Sequence, residues 1–280
     1  PAIFIDQVAK MGVPAGVIGC VGEDDFGHLN AQRLAADGVD VSSIHFLPDA
    51  TTGSALATYR HDGNRDFVFN ITNSASARLT LAHVTPEALA DCAHFHVMGS
   101  SLFSASIVEA MKQAVDVVKR QGGSVSFDPN IRKEMLGSSA MRDALRYFLT
   151  RADVFLPSGP ELTMLVDAET EAQAIDELLD LGVQAVVIKR GAQGASYADR
   201  QQRLDAAPLA VTELDPTGAG DCFGGAFVAC RFMGMSPRDA LAHANAAGAM
   251  AVTRRGPMEG THRLAQLREV LTQAQAGGAQ

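Results

Sequence analysis

The feature that most constrains the fold of this chain is a regular alternation of strand-like and helix-like segments between residues 86 and 189. Apolar runs that predict strands begin at His94, Ser124, Val154 and Ala185, and amphipathic segments that predict helices lie between them. This alternation is typical of one parallel sheet with helices on both faces. The sequence therefore predicts an α/β protein.

Polar or glycine-rich groups follow these strands at the point where each one ends. Residues 128–132, 157–161 and 189–194 come directly after predicted strands, and a further group, residues 218–221, follows later. In sheets of this kind, ligands bind beyond the carboxyl ends of the strands. The pattern therefore favours one shared ligand site over four unrelated loops.

The most informative single stretch is residues 215–227, Asp-Pro-Thr-Gly-Ala-Gly-Asp-Cys-Phe-Gly-Gly-Ala-Phe. The preceding run, residues 209–212, predicts a strand, and apolar residues after the glycines recur at helical spacing. A glycine turn that opens a helix presents free N–H groups at the positive end of that helix, which favours a bound anion. Asp221 falls in the first turn, where a carboxylate can either cap the helix or accept a proton from a hydroxyl that attacks phosphorus.

Composition limits the classes of partner. The chain has 280 residues and a formal charge of −9, which argues against a nucleic acid or an anionic membrane as the main partner. Its four cysteines show no paired or metal-like spacing, so we expect reduced thiols in a cytoplasmic protein. No apolar run approaches the roughly 18 residues of a membrane span, and no signal peptide is visible. Because the sequence opens at Pro1 directly on a helix-like pattern, we expect an incomplete copy of a longer protein.

The pattern changes between residues 44 and 76. Two strand-like runs, residues 54–59 and 66–71, flank the polar, glycine-containing residues 60–64. No segment long enough for a parallel crossover helix lies between them. The sequence therefore predicts a small antiparallel hairpin that stands apart from the main sheet.

These motifs together resemble one known family. Residues 215–221, followed by Gly-Gly-Ala at 224–226, resemble the carboxyl-terminal signature of the ribokinase-like (PfkB) carbohydrate kinases. Residues 21–27 resemble a second phrase of that family. Residues 128–132, Asp-Pro-Asn-Ile-Arg, resemble a third, especially as found in 2-keto-3-deoxygluconate kinases and fructokinases. No Walker A Gly-Lys-Ser/Thr and no early Gly-x-Gly-x-x-Gly is present, which argues against a P-loop protein and a Rossmann dehydrogenase.

The resemblance covers nearly the whole chain and implies a ribokinase-like three-layer α/β/α fold with a central, mainly parallel sheet. Residues 1–43 and 77–280 would form the core, with an amino-terminal strand of the family missing, and residues 44–76 would form a β lid over the sugar. In this family the lid often mediates dimerisation. Exposed apolar lid residues such as Phe67 and Phe69 fit a homodimer, although an ordinary half-buried strand explains them equally well.

The resemblance also implies phosphorylation of a sugar hydroxyl by ATP with Mg2+. Asp221 would be the general base, and the amides of Gly218, Ala219 and Gly220 would hold the transferred phosphoryl group. The residues that would contact ATP are Lys189, Gly191, Gly194, Thr217 and Asn245. Those that would contact the sugar are Asn70, Asn130, Arg132 and Asp221. Glu161 would order Mg2+, although Ser158 stands where the family has Asn.

The sequence leaves the substrate open. Ketodeoxygluconate kinases carry Arg at the lid position that Asn70 occupies here, while Arg65 and Arg132 remain as candidate partners for a carboxylate. The first candidate is a 2-keto-3-deoxy sugar acid, as the resemblance implies, and a neutral sugar such as fructose, tagatose or ribose comes close behind it. A kinase of nucleosides or phosphorylated sugars is less favoured, since no cationic cluster for a substrate phosphate is evident. A non-catalytic sugar-binding relative is the alternative of another class, and the presence of Asp221 argues against it.

Overall fold

The computed structural model describes residues 1–59, 65–131 and 137–277. Its helices are α1 Ala2–Lys10, α2 Asp25–Ala36, α3 Pro86–Leu89, α4 Ala105–Arg120, α5 Ser139–Leu149, α6 Glu171–Asp180, α7 Ala219–Phe232, α8 Pro237–Ala251 and α9 Leu264–Gly277. Its strands are β1 Ala15–Gly16, β2 Gly19–Gly22, β3 Val39–Asp40, β4 Ile44–Leu47, β5 Ser54–Tyr59, β6 Arg65–Asn70, β7 His94–Met98, β8 Ser124–Asp128, β9 Val154–Phe155, β10 Ala185–Lys189, β11 Ala195–Ala198 and β12 Arg203–Ala206.

The predicted alternation folds into one central sheet with the order β12-β11-β10-β9-β8-β7. Strands β7 to β10 are parallel to one another, while β11 and β12 extend the sheet by antiparallel pairing. The sheet is thus mixed but mainly parallel, as predicted. The carboxyl ends of β7 to β10 all meet at one edge.

Helices cover both faces of this sheet, as alternate residues of one strand show. Val186 and Ile188 of β10 pack into a core cluster with residues of α4, α5 and α6. Ala185 and Val187 pack into a second cluster with residues of α1, α7 and α8. Successive side chains of a strand point to opposite faces, so the two clusters are the two interiors of a three-layer protein.

Two predicted strands are wrong in detail. Residues 209–212 form no strand, because β12 ends at Ala206, Pro208 has no N–H to donate, and residues 210–213 are exposed. The single strand predicted for residues 15–21 is two short ones, β1 paired with β3 and β2 paired with β4. A turn closed by a hydrogen bond from the Ile44 N–H to the Val41 carbonyl separates β3 from β4. Because residues 15–22 pair with these two strands in turn, they are divided into β1 and β2 in the same way.

The predicted hairpin is present as β5 and β6, which pair antiparallel from Ser54 opposite Asn70 to Tyr59 opposite Arg65. Its predicted turn, residues 60–64, lies outside the described residues. Among the strands that the structure describes, β5 and β6 bond only to each other, whereas β4 pairs with β2. The hairpin is therefore a separate small sheet beside the core.

Helices α1 and α7 pack closely, and two glycines of α7 allow it. A Cβ atom on Gly224 would lie 3.2 Å from the Phe4 ring, and one on Gly225 would lie 2.5 Å from the Phe4 carbonyl oxygen. Only glycine fits at the second position without movement of α1. The amino end of α1 is thereby held beside the amino end of α7.

We expect Gly225→Ala to lower the free energy of unfolding by about 1–3 kcal/mol, because the new methyl group would force α1 away from α7. Urea denaturation measures this difference. The matched control is Gly248→Ala in α8, where the nearest atom to the new Cβ would be 3.4 Å away. There the usual preference of a helix for alanine, about 1 kcal/mol, should stabilise the protein or leave it unchanged. Equal destabilisation of both variants would contradict the packing argument.

No helix in the part of the chain that the structure describes is long and apolar enough to cross a membrane.

Candidate active site

The glycine turn before α7 is built by a buried aspartate. The Asp215 carboxylate, 1% exposed, accepts hydrogen bonds from the Thr217 N–H at 3.0 Å, the Thr217 hydroxyl at 2.6 Å and the Gly256 N–H at 3.1 Å. Gly218 follows with a φ of 83°, and a Cβ atom there would lie 2.7 Å from the carbonyl oxygen of Pro257. A side chain at residue 218 is therefore excluded by conformation and by space.

This turn leaves backbone donors facing outward at the start of α7. The Ala219 N–H makes a long bond of 3.3 Å to the Pro216 carbonyl. Within the described residues, the N–H groups of Gly218 and Gly220 donate to no protein acceptor. Such free amides at a helix amino end form a site for an anion.

Asp221 lies in the first turn of α7, beside these amides. Its carboxylate is 16% exposed, and its Oδ1 lies 3.7 Å from the Pro1 nitrogen at the start of α1. The positive ends of α1 and α7 therefore converge on this carboxylate. The side chain is therefore partly accessible from solvent, at the amino end of α7.

A buried ion pair stands next to the anion site. Lys189 Nζ, at the end of β10, lies 2.5 Å from Oδ2 of Asp128 at the end of β8, and the two side chains are 13% and 1% exposed. The Lys189 Nζ also lies 3.7 Å from the position of a Cβ atom on Gly220. Burial raises the pKa of the Asp128 carboxyl to about 6, although Lys189 opposes this shift; the charges of Asp221 and Glu161 add to it. Four charged groups of the site thus act on one another.

The Glu161 carboxylate accepts hydrogen bonds from groups in two loops. Its Oε1 accepts the Ile131 N–H at 2.6 Å, and its Oε2 accepts the Ser158 N–H at 2.7 Å and the Ser158 hydroxyl at 2.6 Å. Ser158, which replaces the family Asn, therefore positions this carboxylate. Among the described residues, no group of three or more His, Cys, Asp or Glu side chains could hold a metal ion alone. Carboxylates beside an anion site fit an Mg2+ ion bound mainly through water and the oxygens of a bound anion.

The loops around the ion pair contain three more of the residues predicted from the sequence. Asn130 has a φ of 37°, and its N–H donates to Asp128 at 3.1 Å. In the turn after Lys189, Gly191 has open space at its Cβ position, whereas a Cβ on Gly194 would lie 2.1 Å from the Ala206 carbonyl oxygen. Gly194 is thus required by packing against β12, and Gly191 leaves room beside the site.

Other predicted contact residues have structural partners or lie apart. The Asn245 side-chain amide donates to the Ala207 carbonyl at 2.6 Å, so it fixes the loop before the glycine turn. The Thr217 hydroxyl is bonded to Asp215. Asn70 is exposed at the end of β6 in the hairpin, and Arg132 lies outside the described residues.

Sequence reasoning missed the anchor at the base of the hairpin. The Asp24 carboxylate caps α2 through the Gly27 N–H at 2.8 Å and also accepts the Thr52 N–H and hydroxyl, each at 2.7 Å. These hydrogen bonds lower the pKa of Asp24, the largest effect coming from the Thr52 N–H. The sequence predicts the cap alone, because nothing local indicates that residue 52 returns to it.

The comparisons agree with this architecture. The profile described as "pfkB family carbohydrate kinase" matches residues 6–263, and the chain belongs to this family. Fructokinase-1 from Oryza sativa subsp. japonica is 31% identical, over 91% of this chain and 82% of its own. A provisionally named Ribokinase II from E. coli, solved with ATP and Mg2+, is 53% identical with a TM-score of 0.95, over 98% of this chain and 88% of its own. Fructokinase from Xylella fastidiosa with bound ATP is 25% identical with a TM-score of 0.89, over 98% and 90%. These structures confirm the predicted ribokinase-like fold.

Proposed function

We propose that this carbohydrate kinase transfers the γ-phosphoryl group of ATP to a hydroxyl of a small sugar, with Asp221 as the general base. The hydroxyl oxygen attacks phosphorus, the bond to the β-phosphate oxygen breaks, ADP leaves, and the hydroxyl proton passes to Asp221. The observation that carries the proposal is the position of this carboxylate beside the free amides of Gly218 and Gly220. The amides would stabilise negative charge as it spreads over the phosphoryl oxygens.

The residues that would hold the nucleotide follow from the same geometry. Lys189 at the end of β10 and the turn that follows it at Gly191 would lie along the phosphates. Asp128 would hold the Lys189 ammonium in place. Bound Mg2+ neutralises phosphate charge in such reactions, and Glu161 would position the water around it. The E. coli relative solved with ATP and Mg2+ supports ATP and Mg2+ as the cofactors. Use of ATP, together with four cysteines in no disulfide, supports a cytoplasmic enzyme.

We further propose a neutral sugar as the substrate in preference to a sugar acid. Asn70, in the hairpin that we infer to be the lid, is uncharged and exposed, and a buried carboxylate would need a cationic partner. The relatives named as fructokinases are consistent with a ketose. Asn130, next to the buried Asp128, would supply polar contacts to sugar hydroxyls.

An ADP-release assay on the protein tests both proposals. The panel contains fructose, tagatose, ribose, an aldohexose, a nucleoside and 2-keto-3-deoxygluconate, each with ATP and Mg2+. Turnover of one neutral sugar, lost without Mg2+, is the expected result. Turnover of the sugar acid alone would overturn the neutral-sugar proposal but retain the kinase. Absence of turnover with every compound would count against the proposed reaction, and calorimetry with an ATP analogue would then test for a binding protein.

The hairpin is also the proposed dimer interface. Leu56 and Val68 are paired across β5 and β6 and are each 65% exposed, so one face of this small sheet presents apolar side chains to solvent. We expect the protein to elute as a dimer in size-exclusion chromatography with light scattering, and Leu56→Lys to shift it to the monomer. Leu29→Lys, at another exposed leucine (59% exposed), is the control and should remain a dimer. A wild-type monomer at micromolar concentration would contradict this interface.

A further inference from the structure

A cavity of about 520 Å3 lies at the opposite end of the central sheet from the candidate active site. Its wall includes His94 and Ser124, which are the first residues of β7 and β8, and Val154 and Ala185, which begin β9 and β10. These are the amino ends of the parallel strands, whereas the ion pair and the glycine turn stand at the carboxyl ends. The volume lies within the range of small-molecule sites.

One side of the cavity is apolar and is formed by the second half of α7. Phe227, Val228 and Phe232 line it from this helix, and Leu179 and Val183 line it from the end of α6 and the loop that follows. Phe232 is 51% exposed, and its ring lies edge-on to the His94 ring with 6.3 Å between the centroids. This wall fits an aromatic or otherwise apolar body.

The carboxylates that line the cavity already have partners. Asp153 accepts from Lys119 at 2.8 Å, from the Val125 N–H at 2.7 Å and from the Gln184 side chain at 2.9 Å. Asp199 accepts the Tyr197 hydroxyl at 2.7 Å and the N–H groups of two following residues. Their negative charge is therefore largely offset by donors of the protein itself.

The arginines that line the cavity are less engaged. Arg231 bonds to the carbonyl oxygen of Met235, and it forms no ion pair with any residue that the structure describes. Arg200 donates to the Leu179 carbonyl at 2.8 Å and reaches Asp180 at 3.3 Å, a contact between side chains that are 65% and 77% exposed. Exposed pairs of this kind contribute little. Donors on both guanidinium groups therefore remain available to a ligand.

We propose that this cavity binds a small organic anion, an aromatic or apolar body carrying one phosphate or carboxylate, with Arg231 and Arg200 holding the charged group. His94 contributes no charge: burial lowers its pKa to about 4, and its two nitrogens bond the hydroxyls of Ser124 and Ser126 at 2.7 and 2.8 Å. The bound anion would contact the second half of α7, whose first turn carries Asp221. A helix of 14 residues spans about 21 Å, so the two sites are distinct.

Calorimetric titration with phenyl phosphate, without nucleotide or sugar, tests this site. We expect binding to the wild-type protein, about tenfold or greater weakening in Arg231→Gln and in Arg200→Gln, and an unchanged dissociation constant in Lys189→Met. Benzoate should bind with the same dependence on the arginines, and uncharged benzyl alcohol should bind at least about tenfold more weakly. The two arginine variants are independent, so misfolding of one, seen in its thermal transition, leaves the other to decide.

Two outcomes would overturn the proposal. One is the absence of phenyl phosphate binding at millimolar concentration. The other is binding that Lys189→Met abolishes and the arginine variants retain, since this would assign the anion to the candidate active site. Because no substrate or turnover enters the titration, its result does not depend on the proposed kinase reaction.

Discussion

Replacement of Asp221 by asparagine should lower kcat by about a thousandfold, the contribution expected of a general base in direct contact with the reacting hydroxyl. The amide has nearly the shape of the carboxylate but cannot accept the proton. The groups that would hold the phosphates are backbone amides, which the substitution leaves unchanged. We therefore expect the dissociation constant for a non-hydrolysable ATP analogue, measured by calorimetry, to change by no more than a few-fold.

Asp239→Asn is the matched control for this prediction. Asp239 is the third residue of α8, as Asp221 is of α7, but it is exposed and its carboxylate accepts the Ser236 hydroxyl at 2.7 Å. Both substitutions remove one negative charge from the first turn of a helix. Near-normal turnover in Asp221→Asn, or an equal loss in the two variants, would rule out Asp221 as the base.

The second large effect is expected for Lys189→Met, which should lower kcat/KM by at least about a hundredfold. The substitution removes the ammonium beside Gly220 and leaves the Asp128 carboxyl, 1% exposed, without its cation. Since Lys189 holds the pKa of Asp128 down against burial, the carboxyl should then be protonated at neutral pH. The folded protein should thus survive, while the positive charge facing the phosphates is lost. Steady-state kinetics with a thermal melt of each variant measure both effects.

The neighbouring residue provides the control. Arg190 lies at the same strand end, but its guanidinium bonds the Ser196 hydroxyl at 2.7 Å and pairs with Glu171, away from the ion pair. Arg190→Met removes a charge of the same sign from the next position in the chain. We expect kcat/KM to stay within a few-fold of the wild-type value. If both variants lose activity equally, general electrostatics and not the position of Lys189 would explain the loss.

Local patterns in the sequence predict the elements better than the contacts among them. The parallel strands and the hairpin follow from periodicity, and the glycine turn follows from its residues. The Lys189–Asp128 pair does not, because it joins residues 61 positions apart and spans a strand. It forms across the segment that follows β9, which stays bonded to both neighbouring strands: the Leu156 N–H donates to the Phe127 carbonyl at 2.8 Å, and the Lys189 N–H donates to the Pro157 carbonyl at 2.9 Å. Strand order and strand length are properties of the assembled sheet.

At residues 209–212, in contrast, the local pattern predicts a strand that does not form. Its β-branched residues carry a strand preference, but a strand needs a partner, and β12 already occupies the edge of the sheet. The segment is held instead by two contacts from α8 and its end: the Asn245 side chain to the Ala207 carbonyl, and the Leu214 N–H to the Val252 carbonyl at 2.7 Å. Tertiary context overrides propensity here.

Given the lid role that we propose for the β5–β6 hairpin, its separateness bears on how such proteins would acquire new substrates. Its strands bond only to each other among the described strands, and its base is attached through Thr52 to Asp24 and through the Thr51 carbonyl to the Ala75 N–H at 2.8 Å. Asp221, Lys189 and the glycine turn all belong to the core. Residues 54–70 could therefore be replaced by the corresponding segment of a relative without disturbing the core interior. Diversification of the recognised molecule and preservation of the chemistry would then proceed as separate evolutionary events.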